Sequence, residues 1–306
     1  ADRHRSTLMS GRTHSQQAVP ITFGLKAAGW MEPLLRNRRR LEEIRPRLLV
    51  VQLGGAAGTL AGFGEDGLAL QREFAAELDL DTARMPWHTQ RDGLVELANW
   101  LALLTDGLAK MSQDIILMAQ SEIAEVKESS DRSRGGSSTM PQKSNPIVSE
   151  LVIAAARTNI SLLTSMHHAS IQEHERATHG WQVEWLNFPQ MFNLTAAALK
   201  KAVYLSENLY IDERRMRQNV KASKGLMLAE AITLALTQSM KRTEAKRIVE
   251  EACRVVLEDG GNLVDVVRGE TTADLDWESL RDESAYLGSA DALINQVLRQ
   301  VENSLR

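Results

Sequence analysis

The hydrophobic positions of this chain follow a helical period over long stretches. Between Asp92 and Met118, apolar residues recur at alternating steps of three and four, which places them along one side of a helix. The seam consists of Leu94, Leu97, Leu101, Leu104, Leu108, Met111, Ile115 and Met118. Trp100 and Ile116 add apolar surface outside the seam, which is typical of a helix buried within a bundle or between subunits.

Similar patterns predict two more long helices, over about residues 20–45 and 181–209. Pro189 should kink the second helix or break it near Phe188. Pro146 fits the first position of a further helix, with Asn145 as its cap.

The pattern becomes shorter after Tyr210, where helices are predicted over 226–240, 242–261 and 289–305. We therefore predict an all-α fold. It has a long-helix bundle as central domain over residues 1–209 and a small helical C-terminal domain over 210–306.

Composition restricts the possible partners and compartment. The formal net charge of -4 and the pI of about 6.0 give no indication of a nucleic-acid or membrane partner. The longest apolar runs, such as Leu48 to Val51, are too short to span a bilayer. The single cysteine, Cys253, excludes an intrachain disulfide and suits a reducing environment. We expect a cytoplasmic protein.

The stretch RGGSSTMPQKSNP, residues 134–146, has the composition of a reactive loop. A serine near a helix N-terminus and a lysine lies in a positive potential, which lowers the cost of an alkoxide. Lys143, Asn145 and free backbone N–H groups could hold a substrate carboxylate and its carbanion. A flexible connector that ends in a helix cap is the structural alternative.

A second polar segment, GRTHSQQAVP at residues 11–20, precedes the first long helix as a polar turn. Further along, the histidines between positions 167 and 179 lie near two glutamates, a composition compatible with metal. His174 and His179 are five residues apart, so they would not share a helix face as a zinc pair does. We therefore predict no metal and interpret these residues as lining a substrate cleft.

Three segments, GSSTMPQKSNP, GRTHSQQAVP and GGAAGTLAGFG, resemble the fumarase/aspartase superfamily. The resemblance implies a long-helix central domain, a homotetramer with active sites shared between subunits, and addition or elimination next to a carboxylate. It implies proton transfer by Ser137 and carboxylate binding by Lys143 and Asn145. It also implies His14 as the second catalytic residue, and substrate binding by Thr13, Gln90, Ser138 and Arg176.

Within the superfamily, the segments RPRLLVVQLGGAAGTLAGFG, PWHTQRDGLVE, QEHERATHGWQVEW and YLGSA look most like the bacterial 3-carboxy-cis,cis-muconate cycloisomerases. This implies a small polycarboxylate substrate, lactone formation by addition of the substrate's own carboxylate to a double bond, and no cofactor. Family chains also have a substantial upstream segment with a third active-site motif, so we expect sequence before Ala1.

Two other functions remain open. Several cycloisomerases have Trp at the position of His14, whereas the fumarate-releasing lyases have His. The alternative is therefore a lyase similar to adenylosuccinate lyase, in which His14 would protonate a nitrogen leaving group. A non-catalytic helical scaffold, derived from a truncated superfamily protein, is the alternative of another class. Whether the substrate is a carboxy-, sulfo- or chloro-substituted muconate also stays open.

Overall fold

The computed structural model describes residues 1–128, 140 and 143–305, and this part of the chain is mostly helical. The elements in chain order are β1 (Leu8–Thr13), β2 (Gln16–Thr22), α1 (Phe23–Leu48), β3 (Val50–Val51), α2 (Gly67–Glu77), β4 (Asp81–Thr82), α3 (Asp92–Met118), β5 (Val126–Lys127), α4 (Ile147–Ser170), α5 (Gly180–Asn208), β6 (Tyr210–Ile211), α6 (Glu213–Ala222), α7 (Ala229–Leu236), α8 (Arg242–Glu258), α9 (Leu263–Gly269), α10 (Trp277–Arg281) and α11 (Ala290–Leu305). The strands form two-stranded sheets, β1 with β2, β3 with β4 and β5 with β6. The predicted all-α class is confirmed.

The chain folds into two compact units. The first unit comprises Ala1–Met31, Met118–Val126 and Ile211–Arg306, and the second comprises Glu32–Leu117 and Lys127–Tyr210. The boundary that we predicted near residue 209 is one of the places where the chain passes between the units. The division into a central domain and a C-terminal domain stays a prediction, because two segments from the first half of the chain belong to the unit of the C-terminal residues.

The second unit contains the long-helix bundle. The apolar seam of α3 is buried as predicted: Leu101, Leu108 and Ile115 are each 1% exposed. Leu101 and Leu108 face apolar side chains of α4 and α5, among them Val152, Met166, Met191 and Ala198. A polar contact crosses this core, where the Asn159 amide on α4 donates to the Thr195 hydroxyl on α5 at 2.9 Å. Such a buried pair favours one register of two helices over its neighbours.

The first unit combines a hairpin with the short C-terminal helices. Strands β1 and β2 run antiparallel, and α6 packs on β1. Helices α7, α8 and α9 enclose a separate apolar core that includes Ile232, Val249, Leu263 and Val267.

Helix α5 differs from the prediction at Pro189. The helix continues from Gly180 to Asn208 with Pro189 inside it, so the break near Phe188 does not occur. Proline removes the hydrogen bond to the carbonyl four residues earlier, which belongs to Trp185. Phe188 and Met191, on either side of the proline, pack in the core with Leu101 and Met166, and this packing holds the helix continuous despite the loss.

Helix α4 is the one described helix whose length and composition would allow it to cross a membrane. It is not uniformly apolar, because Glu150 and Arg157 lie on its exposed side and Asn159 is buried in the bundle. The core helix of a bundle has the same length and composition.

Candidate active site

The segment that carries Thr13 and His14 is the tip of the β1–β2 hairpin. Thr13 pairs with Gln16, which leaves His14 and Ser15 as a two-residue turn. Both turn residues have positive φ, 49° for His14 and 63° for Ser15. Non-glycine residues in this region cost roughly 1–3 kcal/mol each, and they cluster at functional sites. The predicted polar turn is therefore a strained hairpin tip with an exposed imidazole.

A buried ion pair anchors the strand that leads into this turn. The Arg12 guanidinium donates to both carboxylate oxygens of Glu125, at 2.9 and 2.8 Å. The Glu125 side chain is fully buried, and one of its oxygens also accepts from the Asn219 amide of α6 at 2.9 Å. Three donors thus neutralise and satisfy the carboxylate, which is what a buried charge requires.

A polar cavity of about 520 Å³ opens beside the hairpin tip in the first unit. Its lining combines hydroxyls and amides with apolar side chains: Arg12, Ser15, Gln16, Gln17, Ala18, Glu122, Ile123, Asn219, Ala222, Ser223, Leu226 and Met227. The buried Ser223 hydroxyl has no hydrogen-bond partner among the described residues.

In the second unit, Lys143 and Asn145 lie directly before α4. The Lys143 side chain is exposed and Asn145 is half-buried. The Lys143 amide donates to the Met140 carbonyl at 3.0 Å, and the Asn145 carbonyl accepts from the Ile147 amide at 2.9 Å. Ser137 and Ser138, which we predict to transfer a proton and to bind substrate, lie outside the described residues.

The N-terminus of α4 differs from the prediction. The helix begins at Ile147 with Pro146 in the cap position, so Asn145 is not its cap. The buried Glu128 carboxylate accepts from the Val148 amide at 2.9 Å and from the Ser149 amide at 2.6 Å.

The remaining amides of this first turn are occupied as well. Ile147 donates to the Asn145 carbonyl, and Glu150 donates to the Pro146 carbonyl. The free N–H groups that we expected to hold a substrate carboxylate are therefore already hydrogen-bonded. A carboxylate also complements the positive end of a helix better than an amide does, which explains why Glu128 takes this place.

Gln90 belongs to a loop in which His88 is the buried residue. Gln90 is exposed, whereas His88 is 8% exposed, stacks on the Trp181 ring at 5.8 Å and contacts Gln52 through Nδ1. The side-chain oxygen Oε1 of Gln52 accepts from the Trp87 backbone amide at 2.8 Å. The Gln52 NH₂ group therefore donates to His88, which leaves the second ring nitrogen to carry the proton.

The surroundings of His88 disfavour its protonated form. Burial lowers the pKa of His88 below its ordinary value, and the nearby positive charges of Arg176 and Arg91 lower it further. Arg91 itself forms a nearly buried pair with Glu184 at 2.8 and 2.5 Å and lies 5.0 Å from the centre of the Trp87 ring.

Arg176 binds backbone in this structure. Its guanidinium donates to the Ala56 carbonyl at 2.8 Å and to the Gly55 carbonyl at 2.5 Å. It thereby ties the glycine-rich turn after β3 to the segment before α5, and it lies 5.9 Å from the Trp181 ring. Its role in substrate binding stays a prediction.

Thr13 and His14 belong to the first unit, whereas Gln90, Lys143, Asn145 and Arg176 belong to the second. Sequence reasoning missed Glu125, Glu128 and His88. The first two are acidic residues just before the serine-rich segment, and their position there is the only signal that the sequence offers for them. His88 lies within PWHTQRD, where we considered only the glutamine.

Histidine and acidic side chains do not gather into a metal site in the described part of the chain, where no group of three can hold an ion. Nε2 of His179 lies 3.3 Å from a carboxylate oxygen of Glu173. The metal-free reaction stays a prediction.

Comparison with known proteins places these features in a family. Residues 1–160 match the family model described as lyase, and residues 225–297 match the model of the adenylosuccinate lyase C-terminus. The chain is 43% identical to a 3-carboxy-cis,cis-muconate cycloisomerase from Pseudomonas aeruginosa over 98% of its length and 66% of that protein.

Solved structures show the same relationship. The crystal structure of the 3-carboxy-cis,cis-muconate lactonizing enzyme from Pseudomonas putida matches with a TM-score of 0.92 and 38% identity, over 99% of this chain and 69% of that one. The crystal structure of a fumarate lyase from Mesorhizobium matches with a TM-score of 0.89 and 40% identity, over 97% of this chain and 68% of that one. The chain thus spans about two thirds of the length of these relatives. It belongs to the lyase family of the fumarase/aspartase superfamily.

Proposed function

We propose that the protein containing this chain is a cycloisomerase that converts 3-carboxy-cis,cis-muconate into a carboxymuconolactone. The observation that carries this proposal is the similarity to cycloisomerases, which extends over 98% of the chain. The reaction serves aromatic catabolism in the β-ketoadipate pathway. It needs no cofactor, because addition and proton transfer leave the oxidation state of the substrate as a whole unchanged.

The chemistry proceeds by addition of one substrate carboxylate to the substrate's own double bond. A carboxylate oxygen forms the new C–O bond, and the π electrons move to the neighbouring carbon, where an adjacent carboxylate delocalises them. The Ser137 hydroxyl then delivers a proton to that carbon, and solvent returns a proton to the serine. Stabilisation of the delocalised negative charge is the main electrostatic demand of this reaction.

Lys143 and Asn145 are the groups that we propose to meet this demand. The first-turn amides of α4 already donate to Glu128 or to backbone carbonyls. We therefore propose that the exposed lysine cation and the Asn145 side chain stabilise the delocalised negative charge. Gln90, Thr13, Ser138 and Arg176 would bind the remaining carboxylates. The substrate is in this account a small polycarboxylate, and the protein works as a cytoplasmic homotetramer whose subunits share their active sites.

His14 separates this mechanism from that of a fumarate-releasing lyase. An amine leaves poorly unless it is protonated, so the lyase needs an acid at His14. In lactone formation the corresponding group is a carboxylate, with an ordinary pKa near 4, and it needs none. The exposed imidazole at the strained hairpin tip would then position the substrate.

The experiment compares Ser137→Ala with His14→Ala in the intact protein. We expect Ser137→Ala to lower the rate of lactone formation by roughly 10²- to 10⁴-fold, whereas His14→Ala keeps a sizeable share of it. Melting temperatures control for unfolding. If His14→Ala folds normally and is as inactive as Ser137→Ala, the lactonisation mechanism is wrong.

The lyase is the second candidate because of His14 itself. Release of fumarate from adenylosuccinate, with no consumption of carboxymuconate, would establish it in place of the cycloisomerase.

A further inference from the structure

The structure assigns a positioning role to the ion pair between Arg12 and Glu125. We infer that this pair, together with Asn219, holds the strained turn His14–Ser15 in the conformation that the reaction uses. The inference rests on the proposed function of the hairpin tip. Arg12 and Glu125 act through the turn and need not touch the substrate.

The first observation is the strain in the turn. His14 and Ser15 both have positive φ, as a two-residue hairpin turn of this type requires, yet neither is glycine, asparagine or aspartate. The turn residues do not favour this conformation by themselves. Some other part of the structure has to hold the two strand ends in place.

The second observation is where the restraint comes from. Arg12 lies on β1 two residues before His14, and its guanidinium makes two parallel hydrogen bonds to the buried Glu125. A planar guanidinium on a carboxylate fixes orientation as well as distance. On the other strand, Gln17 donates to the Asn219 carbonyl at 3.4 Å.

The third observation is that the partner residues are themselves fixed. Asn219 donates both to Glu125 and to the Ile123 carbonyl, each at 2.9 Å. Arg215 donates to the same Ile123 carbonyl at 3.0 Å. Two side chains of α6, Arg215 and Asn219, therefore hold the segment that carries Glu125. Glu125 in turn holds Arg12 of the hairpin.

This arrangement predicts a specific result of substitution. Arg12→Lys keeps the charge but loses the two parallel bonds, so the turn should relax. Because His14 positions the substrate without taking part in proton transfer, the loss should appear in KM, with kcat nearly unchanged. We expect KM to rise about threefold to tenfold, since small displacements of positioning groups have effects of this order or larger. The rise should not exceed the one that His14→Ala causes.

A double-mutant cycle between Arg12→Lys and His14→Ala tests the inference. If Arg12 acts through His14, adding Arg12→Lys to His14→Ala should change kcat/KM by less than about twofold. Glu125→Gln, which keeps the shape of the side chain, is the second variant if Arg12→Lys does not fold. Arg281→Lys is the control, because it alters an exposed arginine–aspartate pair elsewhere in the same unit. Equal effects of Arg12→Lys in both backgrounds would overturn the inference.

A substrate-independent readout separates this inference from the proposed function. In spectra of protein with ¹³C-labelled histidine rings, the His14 resonance should shift in Arg12→Lys while the His88 resonance stays. If the wild type turns over adenylosuccinate and not carboxymuconate, the proposed function fails, and the cycle is run on adenylosuccinate. An unchanged His14 resonance together with additive kinetics rejects the positioning role whichever substrate is used.

Discussion

At the scale of single residues, three buried polar side chains near the candidate site, His88, Glu125 and Glu128, have defined partners. His88 accepts from Gln52, stacks on Trp181 and lies near two arginines, so its neutral form is part of the folded structure. Glu128 and Glu125 are buried carboxylates, and each accepts several hydrogen bonds. His88 affects how stability depends on pH, and the hydrogen bonds of the two carboxylates affect how stability responds to substitution.

His88 should make the fold less stable in mild acid. Its pKa in the folded protein lies below the ordinary value, so the unfolded chain binds a proton first as the pH falls below about 6.5. Stability from this group is complete above that pH and decreases as the pH falls toward the folded pKa. We expect the unfolding free energy of His88→Asn, whose amide oxygen can still accept from Gln52, to fall less between pH 7 and pH 5. Parallel pH curves for the two proteins, from denaturant titrations, would contradict this.

Glu128 should stabilise the start of α4. Glu128→Ala leaves two buried amides without an acceptor, which should cost about 2–6 kcal/mol, because each unsatisfied buried group costs roughly 1–3 kcal/mol. The matched control is Asp212→Ala, which removes a single bond to the Arg215 amide at the N-terminus of α6 and should cost about 1 kcal/mol. Thermal unfolding of both variants measures the difference. A Glu128→Ala protein as stable as Asp212→Ala would show that the cap contributes little.

At the scale of elements, the helices were largely predictable and the hairpin was not. The seam of α3 predicts its limits because burial on one side imposes a period on the sequence. The β1–β2 hairpin was interpreted as a polar turn, since His14–Ser15 lacks the glycine and asparagine that usually mark such turns. Pro189 predicts a kink or a break in α5. The helix does not break, because residues on both sides of the proline pack against distant segments, and the sequence does not show this packing.

Substitution by alanine should change the stability of the protein in opposite directions at two glycines of α1. A Cβ on Gly24 would lie 2.6–2.8 Å from backbone atoms of Ala1 and Arg5, so Gly24→Ala should destabilise the protein by about 1–3 kcal/mol. Gly29 has nothing within 4 Å of the same position, so Gly29→Ala should stabilise it by about 0.5–1 kcal/mol. Melting temperatures that move in the same direction for both variants would contradict the packing at the start of α1.

At the scale of the whole molecule, the candidate site was only partly predictable. The resemblance points to Ser137, Lys143 and His14 through local motifs. The partners that hold such residues lie far along the chain: Glu125 is 113 residues from Arg12, and Glu128 is 20 residues from Val148. Local patterns cannot reveal these contacts, because each depends on how distant segments fold against one another.

The exposed apolar residues of α5 support the prediction that the protein forms a tetramer. Leu186 is 68% exposed and Val203 is 55% exposed on this bundle helix, which is unusual for a helix that faces water. We expect the intact protein to sediment as a tetramer and Leu186→Glu to sediment as a smaller species. Leu257→Glu is the control, because Leu257 is an equally exposed leucine (73%) on α8. A wild type that sediments as a monomer and still turns over substrate would rule out shared active sites.

Conversion of 3-carboxy-cis,cis-muconate into a lactone can be measured directly. Purified intact protein is mixed with 3-carboxy-cis,cis-muconate, the ultraviolet absorbance of the conjugated diene is followed, and the product is identified by NMR. Adenylosuccinate is assayed in parallel for fumarate. We expect the wild type to remove the diene absorbance rapidly, to form the lactone and to release no fumarate. Ser137→Ala should form lactone roughly 10²- to 10⁴-fold more slowly. An unchanged diene absorbance with fumarate released from adenylosuccinate would contradict it.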